Sequence, residues 1–385
     1  MTRKCDPVEP EPPASIAVWG DAAAGIGLGS DSLRTMTGGA PVPTESIVVP
    51  LADRQRLLDG LPFLPRPEVS TWGLANLEIS VPIGSFPVDG AGATLASGRI
   101  DALVGGVAAN ITRGLSVLGV PVQAHLVVAD DDLGAYVGGR VQTWGNVTLT
   151  KVPTAECPRT VVLYSDDGER GMFMDMGTAI STRFPDAILA GVAGSALAYV
   201  TIARMGRQVV GAAAAAGVPV AVDLQEVDDI DSAPVRFFAG LASVLFLSGA
   251  ALPEPERIQA LRRVAHRDGV PIAVMGLGSA GAAMTTDAGA TVTMMPAYDV
   301  RPVRSTLGAG DALAAGLLAG LVQGMDPQRC LHRACLFAGY KIGAVGATEG
   351  FLTGSELTLL EAAVDHHAAA AESEPTQRPE HPGRI

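Results

Sequence analysis

The chain has 385 residues, 48% of them hydrophobic and 17% charged, which suits a large core and excludes a wholly disordered chain. Aromatic residues make up 4% and glycines number 46, so the core is expected to pack Ala, Val, Leu and Gly at close quarters. Lys+Arg 27 against Asp+Glu 40 leaves a net charge of −13, which phosphate backbones repel; general nucleic-acid binding is excluded, while a small phosphate-bearing ligand needs only a local device. The three lysines (Lys4, Lys151, Lys341) beside 24 arginines read as genomic codon bias without functional content. Cys5, Cys157, Cys330 and Cys335 form no CxxC pair and read as reduced thiols of a cytoplasmic protein. The polar, proline-rich start MTRKCDPVEPEPP does not read as a secretory signal. The uncharged run Ala187–Ala203 is short for a membrane span and reads as a helix followed by a buried strand.

In chain order, residues 1–14 read as a disordered leader, and 15–67 as an N-terminal extension with short apolar runs at Ile16–Trp19 and Ser46–Pro50. Ser70–Leu74 opens a βα alternation. The helix Ala108–Leu118 and the strand Val122–Val128 follow. Val161–Tyr164 and Gly171–Met174 flank Asp166-Asp167-Gly168, a hairpin signal. Ala187–Val192 reads as a helix, Ala198–Ile202 as a strand, Gln208–Ala215 as an Ala-rich helix and Val218–Asp223 as a strand. Val244–Leu247 and Ile272–Met275 read as strands around the helix Pro255–Arg267. Residues 366–385 read as a disordered tail. Short apolar strands separated by helices indicate a parallel sheet covered on both faces, with ligands at the carboxyl ends of the strands.

The most informative stretch is Ser305-Thr306-Leu307-Gly308-Ala309-Gly310-Asp311, the N-terminal turn of an apolar helix from Ala312 to Val322. Small residues at 308–310 leave backbone N–H groups unobstructed, and together with the helix dipole they make an anion site. A carboxylate in that turn, Asp311, suits a general base that takes a hydroxyl proton as the hydroxyl attacks phosphorus. The alternative is an ordinary helix start with Asp favouring the dipole. No GxxxxGK[ST] occurs, so the 308–311 turn is the expected phosphate cradle. Gly276-Leu-Gly278-Ser-Ala-Gly281 matches GxGxxG, but two β-like runs around Asp287-Ala-Gly289 follow it, where a dinucleotide fingerprint needs a helix. A nucleotide-contacting loop ahead of a hairpin is the expectation there. Gly105-Gly106 precedes a helix bearing Asn110. Asn76 and Glu78 share one face of a strand end, where they could clamp hydroxyls.

This order of motifs (GxxNxE, GGxxAN, DGER, GLGSAG, STLGAGD) resembles the PfkB family of carbohydrate and nucleoside kinases over about residues 68–365. The resemblance implies an α/β fold: a ribokinase-like three-layer α/β/α sandwich with a mainly parallel central sheet and a small β lid from about 77–100 and 159–176. It implies transfer of the γ-phosphoryl group of ATP to a hydroxymethyl group, using Mg²⁺. By the same resemblance Asp311 is the catalytic base and Gly308, Ala309 and Gly310 the anion hole. Asn76, Glu78, Gly105, Gly106 and Asn110 hold sugar hydroxyls, Glu169 is a lid residue near the substrate, and Ser248, Gly276, Gly278 and Gly281 lie by the nucleotide. The expected acceptor is a small-molecule sugar or nucleoside, with no nucleic acid or membrane as partner, and the lid is expected to mediate a homodimer.

The sequence departs from the family pattern at several positions. Ser305, beside Arg304, stands where the family commonly has Asp, which bears on a monovalent-cation site. Ser248-Gly-Ala-Ala251 stands where NxxE would organise Mg²⁺, with Glu254 and Glu256 nearby. Glu78 replaces the usual Asp, and Val107 replaces the lysine that ribokinase has in GGxxAN. The leading expectation is a kinase of a sugar or sugar-like substrate. The alternatives are a nucleoside kinase of the same family, with Trp72, Phe86 or Phe173 as stacking rings, a catalytically weakened binding protein on the same scaffold, and a nucleotide-dependent enzyme of altered chemistry.

Overall fold

The computed structural model describes residues 49–61, 68–88, 92–93, 95–96, 98–165 and 169–373. The leader, the run Ile16–Trp19, the Asp166–Gly168 turn and residues 374–385 lie outside them. Strands are β1 (Val69–Leu74), β2 (Asn76–Pro82), β3 (Asp101–Gly105), β4 (Val122–Ala129), β5 (Val147–Thr154), β6 (Arg159–Tyr164), β7 (Arg170–Asp175), β8 (Leu197–Thr201), β9 (Val220–Glu226), β10 (Val244–Ser248), β11 (Ile272–Gly276), β12 (Ala282–Thr286) and β13 (Thr291–Met295). Helices are α1 (Leu51–Gly60), α2 (Val107–Val117), α3 (Asp132–Gln142), α4 (Asp186–Leu189), α5 (Arg204–Ala216), α6 (Ala233–Ala239), α7 (Arg257–Asp268), α8 (Ala309–Val322), α9 (Pro327–Lys341) and α10 (Gly354–Ser373).

The central sheet has the order β5-β4-β1-β8-β9-β10-β11-β12-β13. From β5 to β11 every pairing is parallel; β12 and β13 return antiparallel at the edge. Its inner strands read as continuous apolar runs because both faces are covered. Alternate residues serve opposite layers: Ala198 and Val200 pack with α5, α6 and α7, whereas Leu197 and Tyr199 pack with α2, α8 and α9. The architecture is the three-layer α/β/α sandwich that the motif order implied. A second sheet, β3-β2-β6-β7, branches off where β1 ends, with Ala75 alone separating β1 from β2. It is the small β lid, and its β6 and β7 pair antiparallel around the expected turn.

The scarcity of aromatic residues has a packing consequence. Every residue of α8 from Ala312 to Val322 is buried. Gly316 faces Ala334 of α9 so closely that a methyl group there would meet its Cα at 2.8 Å, and at Gly114 of α2 a methyl would meet Ala315 Cβ at 2.7 Å. Small residues thus let α8 lie against both neighbours, which fixes the direction in which its N-terminus points.

Helices α1, α6 and α9 have no counterpart in the sequence expectations, and three more helices differ from them. The segment read as Ala187–Val192 is the single turn α4 followed by a 3-10 turn, Ala190–Gly194, because Gly191 and Gly194 favour irregular backbone. Helix α3 gave no periodic signal, since Gly134, Gly138 and Gly139 interrupt it. It is started instead by Asp131, whose carboxylate accepts from the Gly134 amide at 2.7 Å. Helix α10 runs to Ser373, into the segment expected to be a tail, consistent with the helix propensity of its alanine run.

Helix α1 lies in the N-terminal extension. Its Arg54 is 2% exposed and donates to Ala239 O (3.1 Å), Ala242 O (2.8 Å) and Asp268 O (2.7 Å). These carbonyls sit at or just past the C-terminal ends of α6 and α7, where helix backbones lack partners and favour positive charge. Burial lowers the guanidinium to about 10, still charged at neutral pH. Replacing it strands buried acceptors, so Arg54→Met should lower unfolding stability by about 2–3 kcal/mol in urea titrations. An unchanged midpoint would mean that α1 is not part of the cooperative unit.

Candidate functional site

The chain reaches α8 through Gly308, whose φ of 75° is left-handed and open to glycine. A methyl there would come within 3.0 Å of Ala347 Cα and O, so the turn is pressed against the 346–348 segment. Ala309 N–H is turned inward to Thr306 O (3.2 Å). Among the described residues the amides of Gly310 and Asp311 have no backbone acceptor. The amides of Gly310 and Asp311 are thus left free at the start of α8, whereas that of Ala309, expected with Gly308 and Gly310 in the anion hole, is bonded to Thr306 O.

Asp311 projects from the first turn of α8 and accepts a 2.6 Å hydrogen bond from Asn110 Nδ2 of α2. Burial and the neighbouring Asp223 carboxylate push its proton affinity up to about 7 against the pull of Asn110 and Lys341. A carboxyl group so tuned can hold and release a proton near neutrality. Asp223, near the carboxyl end of β9, accepts from Tyr199 Oη (3.0 Å) and from the Gln225 amide (2.7 Å), and burial pushes it up to about 6.

The Asn76, Glu78, Gly105, Gly106 and Asn110 cluster is brought together as the motifs suggested. Asn76 and Gly105 pair across β2 and β3. A methyl on Gly105 would sit 2.4 Å from Asn76 Oδ1 and 3.2 Å from Glu78 Oε2, so this glycine keeps space open beside both. Gly106, at φ 97°, starts α2 under Leu74 O. Asn76 Nδ2 donates to Thr160 Oγ1 (2.7 Å), and Ser80 Oγ donates to Glu78 Oε1 (2.9 Å). Among the described residues the buried Oδ1 atoms of Asn76 and Asn110 have no hydrogen-bond partner. Burial raises the proton affinity of Glu78.

The loop positions gather at another part of the same sheet end. Ser248 pairs with Gly276 across β10 and β11, and Gly249 N–H donates to Gly276 O at 3.0 Å. Gly278 and Gly281 flank a 3-10 turn that leads into the β12–β13 hairpin, where the sequence reading expected a hairpin and no helix. Glu169 lies at the base of the lid turn, with its carbonyl accepting from the Ser165 amide (3.1 Å).

Sequence reasoning missed four functional candidates. Arg170, the residue after Glu169, reaches from the lid to Thr306 Oγ1 (3.1 Å), and burial lowers its proton affinity against the charges of Glu226 and Asp311. Glu226, at the end of β9, pairs in register with Ser248 and so brings a carboxylate beside the loop that lacks one. Asp223, close to it on the same strand, is the third. Lys341, the last residue of α9, is fully buried and donates to Leu307 O. The rarity of lysine was a visible signal for Lys341; the others become apparent only through cross-strand pairing and lid closure. Trp72, expected as a stacking ring, is a core residue. It is 1% exposed, stacked on His125 at 3.8 Å with Phe184 at its edge.

The sequence model of the pfkB family carbohydrate kinases matches residues 69–353. An acarbose 7(IV)-phosphotransferase of Actinoplanes sp. is 28% identical over 235 residues, spanning 60% of this chain and 77% of that protein. A 1-phosphofructokinase of Rhodobacter capsulatus is 31% identical over 98 residues, 26% of this chain and 30% of that protein. Among solved structures, a microbiome-derived acarbose kinase superposes with a TM-score of 0.70 at 22% identity, covering 77% of this chain and 99% of its own. Arabidopsis thaliana ribokinase complexed with ribose and ATP superposes with a TM-score of 0.63 at 22% identity, covering 77% and 99%. Both structures share the fold. No helix among the described residues is long and apolar enough to cross a membrane.

The Asp311 carboxyl holds its proton to about 7, against an ordinary value of 3.8, so between these limits the folded state carries the extra proton. Stability then falls as pH rises through that window. Asp311→Asn escapes this loss. Its melting temperature relative to the parent should climb from pH 4 to pH 7 and level off above, as followed by circular dichroism. A constant difference between the two proteins would contradict the assignment.

Proposed function

The chain belongs to the pfkB family of carbohydrate kinases, and on that footing we propose that it moves the γ-phosphoryl group of ATP to a hydroxymethyl group of a sugar or sugar-like acceptor. The observation that carries this reading is the Asn110–Asp311 pair beside two buried, unpartnered carbonyl oxygens and the gap at Gly105. Buried acceptors without donors cost free energy until something donates to them. The hydroxyl groups of a sugar are such donors, and Glu78 offers a further acceptor next to Asn76. The similarity to an acarbose phosphotransferase favours a sugar-like acceptor. The burial of Trp72 removes one of the rings that a purine acceptor would use.

The acceptor hydroxyl hydrogen-bonds to Asp311, which takes its proton as the oxygen attacks phosphorus. The free amides of Gly310 and Asp311, at the positive end of α8, receive the charge on the transferring oxygens. Arg170 adds a guanidinium from the lid, a geometry suited to phosphate. Mg²⁺ takes one or two carboxylates besides phosphate oxygens and water. Residues 248–251 supply no carboxylate, whereas Glu226, paired with Ser248, does and would hold the ion. Its proton affinity is raised by burial, with Arg170 opposing, as suits an acid that awaits a cation. When bound, Mg²⁺ would neutralise phosphate charge. A carboxylate at this place weakens the reading of the chain as a binding protein on a kinase scaffold.

Asp311→Asn should retain acceptor and ATP binding by calorimetry while turnover falls about 10²–10⁴-fold. Turnover equal to the parent's would dismiss Asp311 as the base. The parent's kcat/KM should rise with pH to a plateau above about 7, since the ionised carboxylate is the active form. Gly105→Ala should raise the acceptor KM about tenfold or more, the equivalent of about 1.4 kcal/mol, and spare the KM for ATP. A parallel change in both constants would speak against a hydroxyl site at Asn76.

A further inference from the structure

Lys341 is 0% exposed, whereas Lys151 is exposed. It ends α9, and its ammonium donates to Leu307 O, the carbonyl immediately before the left-handed Gly308. The segment leading into that turn is already tied to the same helix end. Arg304 and Ser305 amides donate to Ile342 O (2.8 and 3.0 Å), and Arg301 donates to Tyr340 O while its guanidinium lies 3.8 Å from the Tyr340 ring centre. A further tether would not need a charge, and burying an ammonium is costly.

The charge has a use in what faces it. Glu78 from β2 and Asp311 from α8 present negative charge to Lys341, while Arg170 from β7 and Arg301 from the segment leading into the turn oppose it. Among the described residues neither carboxylate forms an ion pair with it within 4.0 Å, so the charges act through space. Asp311 in turn faces Asp223 from β9, Tyr199 from β8, Glu78 from β2, Asn110 from α2, Lys341 from α9 and Arg170 from β7. Burial and the neighbouring carboxylates of Asp223 and Glu78 disfavour ionised Asp311, and a cation fixed nearby opposes that.

We propose that Lys341 is a positioning residue for phosphoryl transfer: its buried ammonium holds the Leu307 carbonyl, and so the turn that follows, and joins Arg170 of the lid as a resident positive charge that favours the ionised form of Asp311 beside Glu78 and Asp223. This rests on the kinase reading above for its purpose; the coupling of Lys341 to Asp311 rests on the burial of the ammonium and its bond to the carbonyl ahead of the Asp311 turn, together with the charge that each presents to the other. The ammonium, lowered to about 8 by burial, is still charged in the pH range where Asp311 loses its proton. It adds a resident cation beside the point where charge accumulates on the transferring group.

With three lysines in the chain, the Nζ signal of Lys341 can be followed by NMR in the full-length protein, without turnover. It should titrate near pH 8, and at lower pH in Asp311→Asn, because coupling between two groups is reciprocal. In pH–rate profiles, Lys341→Met should move the acidic limb of kcat/KM up by about one unit, a tenfold loss at fixed pH on that limb. Lys341→Arg should leave the limb in place. An Nζ titration identical in parent and Asp311→Asn overturns the proposal even if Lys341→Met does not fold, as does a Met variant with the parent's limb. Failure of the kinase reading would look different: the parent would phosphorylate no acceptor, while the Nζ titration would still respond to Asp311→Asn.

Discussion

A carboxylate is held at the positive end of a helix whose remaining residues, Ala312 to Val322, are all buried. That placement is the constraint on which the site depends. A helix buried along its length cannot turn or slide without breaking a close-packed interface. The amides of Gly310 and Asp311 therefore stay oriented before any ligand arrives, which is the condition under which dipoles stabilise developing charge cheaply. The small residues at the α8 contacts with α2 and α9 are what allow the helices to approach so nearly, and they account for a large core built with few aromatic rings.

Each partner of Asp311 comes from a separate part of the fold. Asn110 arrives on α2, Asp223 on β9, Glu78 on the lid and Lys341 at the end of α9. The electrostatic balance is a balance among elements, not within one segment. Burial and the carboxylates of Asp223 and Glu78 raise the proton affinity of Asp311, and the buried ammonium and the asparagine amide oppose them. The outcome is an acid poised near neutrality, the range in which proton transfer to and from a hydroxyl is most effective.

The second sheet carries both the candidate hydroxyl-binding groups and a guanidinium bonded beside the turn that opens α8. Asn76 and Glu78 sit at the start of β2, one residue after the central sheet lets the chain go, and Arg170 on β7 reaches back to Thr306 beside the turn that opens α8. Groups suited to grip a sugar and a group suited to grip a phosphate thus belong to one small sheet. The bond from Arg170 to Thr306 joins that sheet to the turn that carries Asp311.

Much of this was legible in the chain. The βα alternation, the hairpin after GLGSAG and the turn at Gly308–Asp311 depend on local periodicity, glycine placement and capping, which a sequence displays directly. The clustering of Asn76, Glu78, Gly105 and Asn110 followed from motif order. Helices α3, α9 and α10 escaped the pattern, α3 because glycines interrupt its apolar stripe. Tertiary structure alone decided the electrostatics. Glu226 faces Ser248 only through strand pairing, Trp72 is a core ring because His125 stacks on it, and Lys341 lies deep in the fold although nothing near it in sequence marks it for burial. Desolvation and through-space charge depend on which distant residues the fold brings together, and no local stretch of sequence records that.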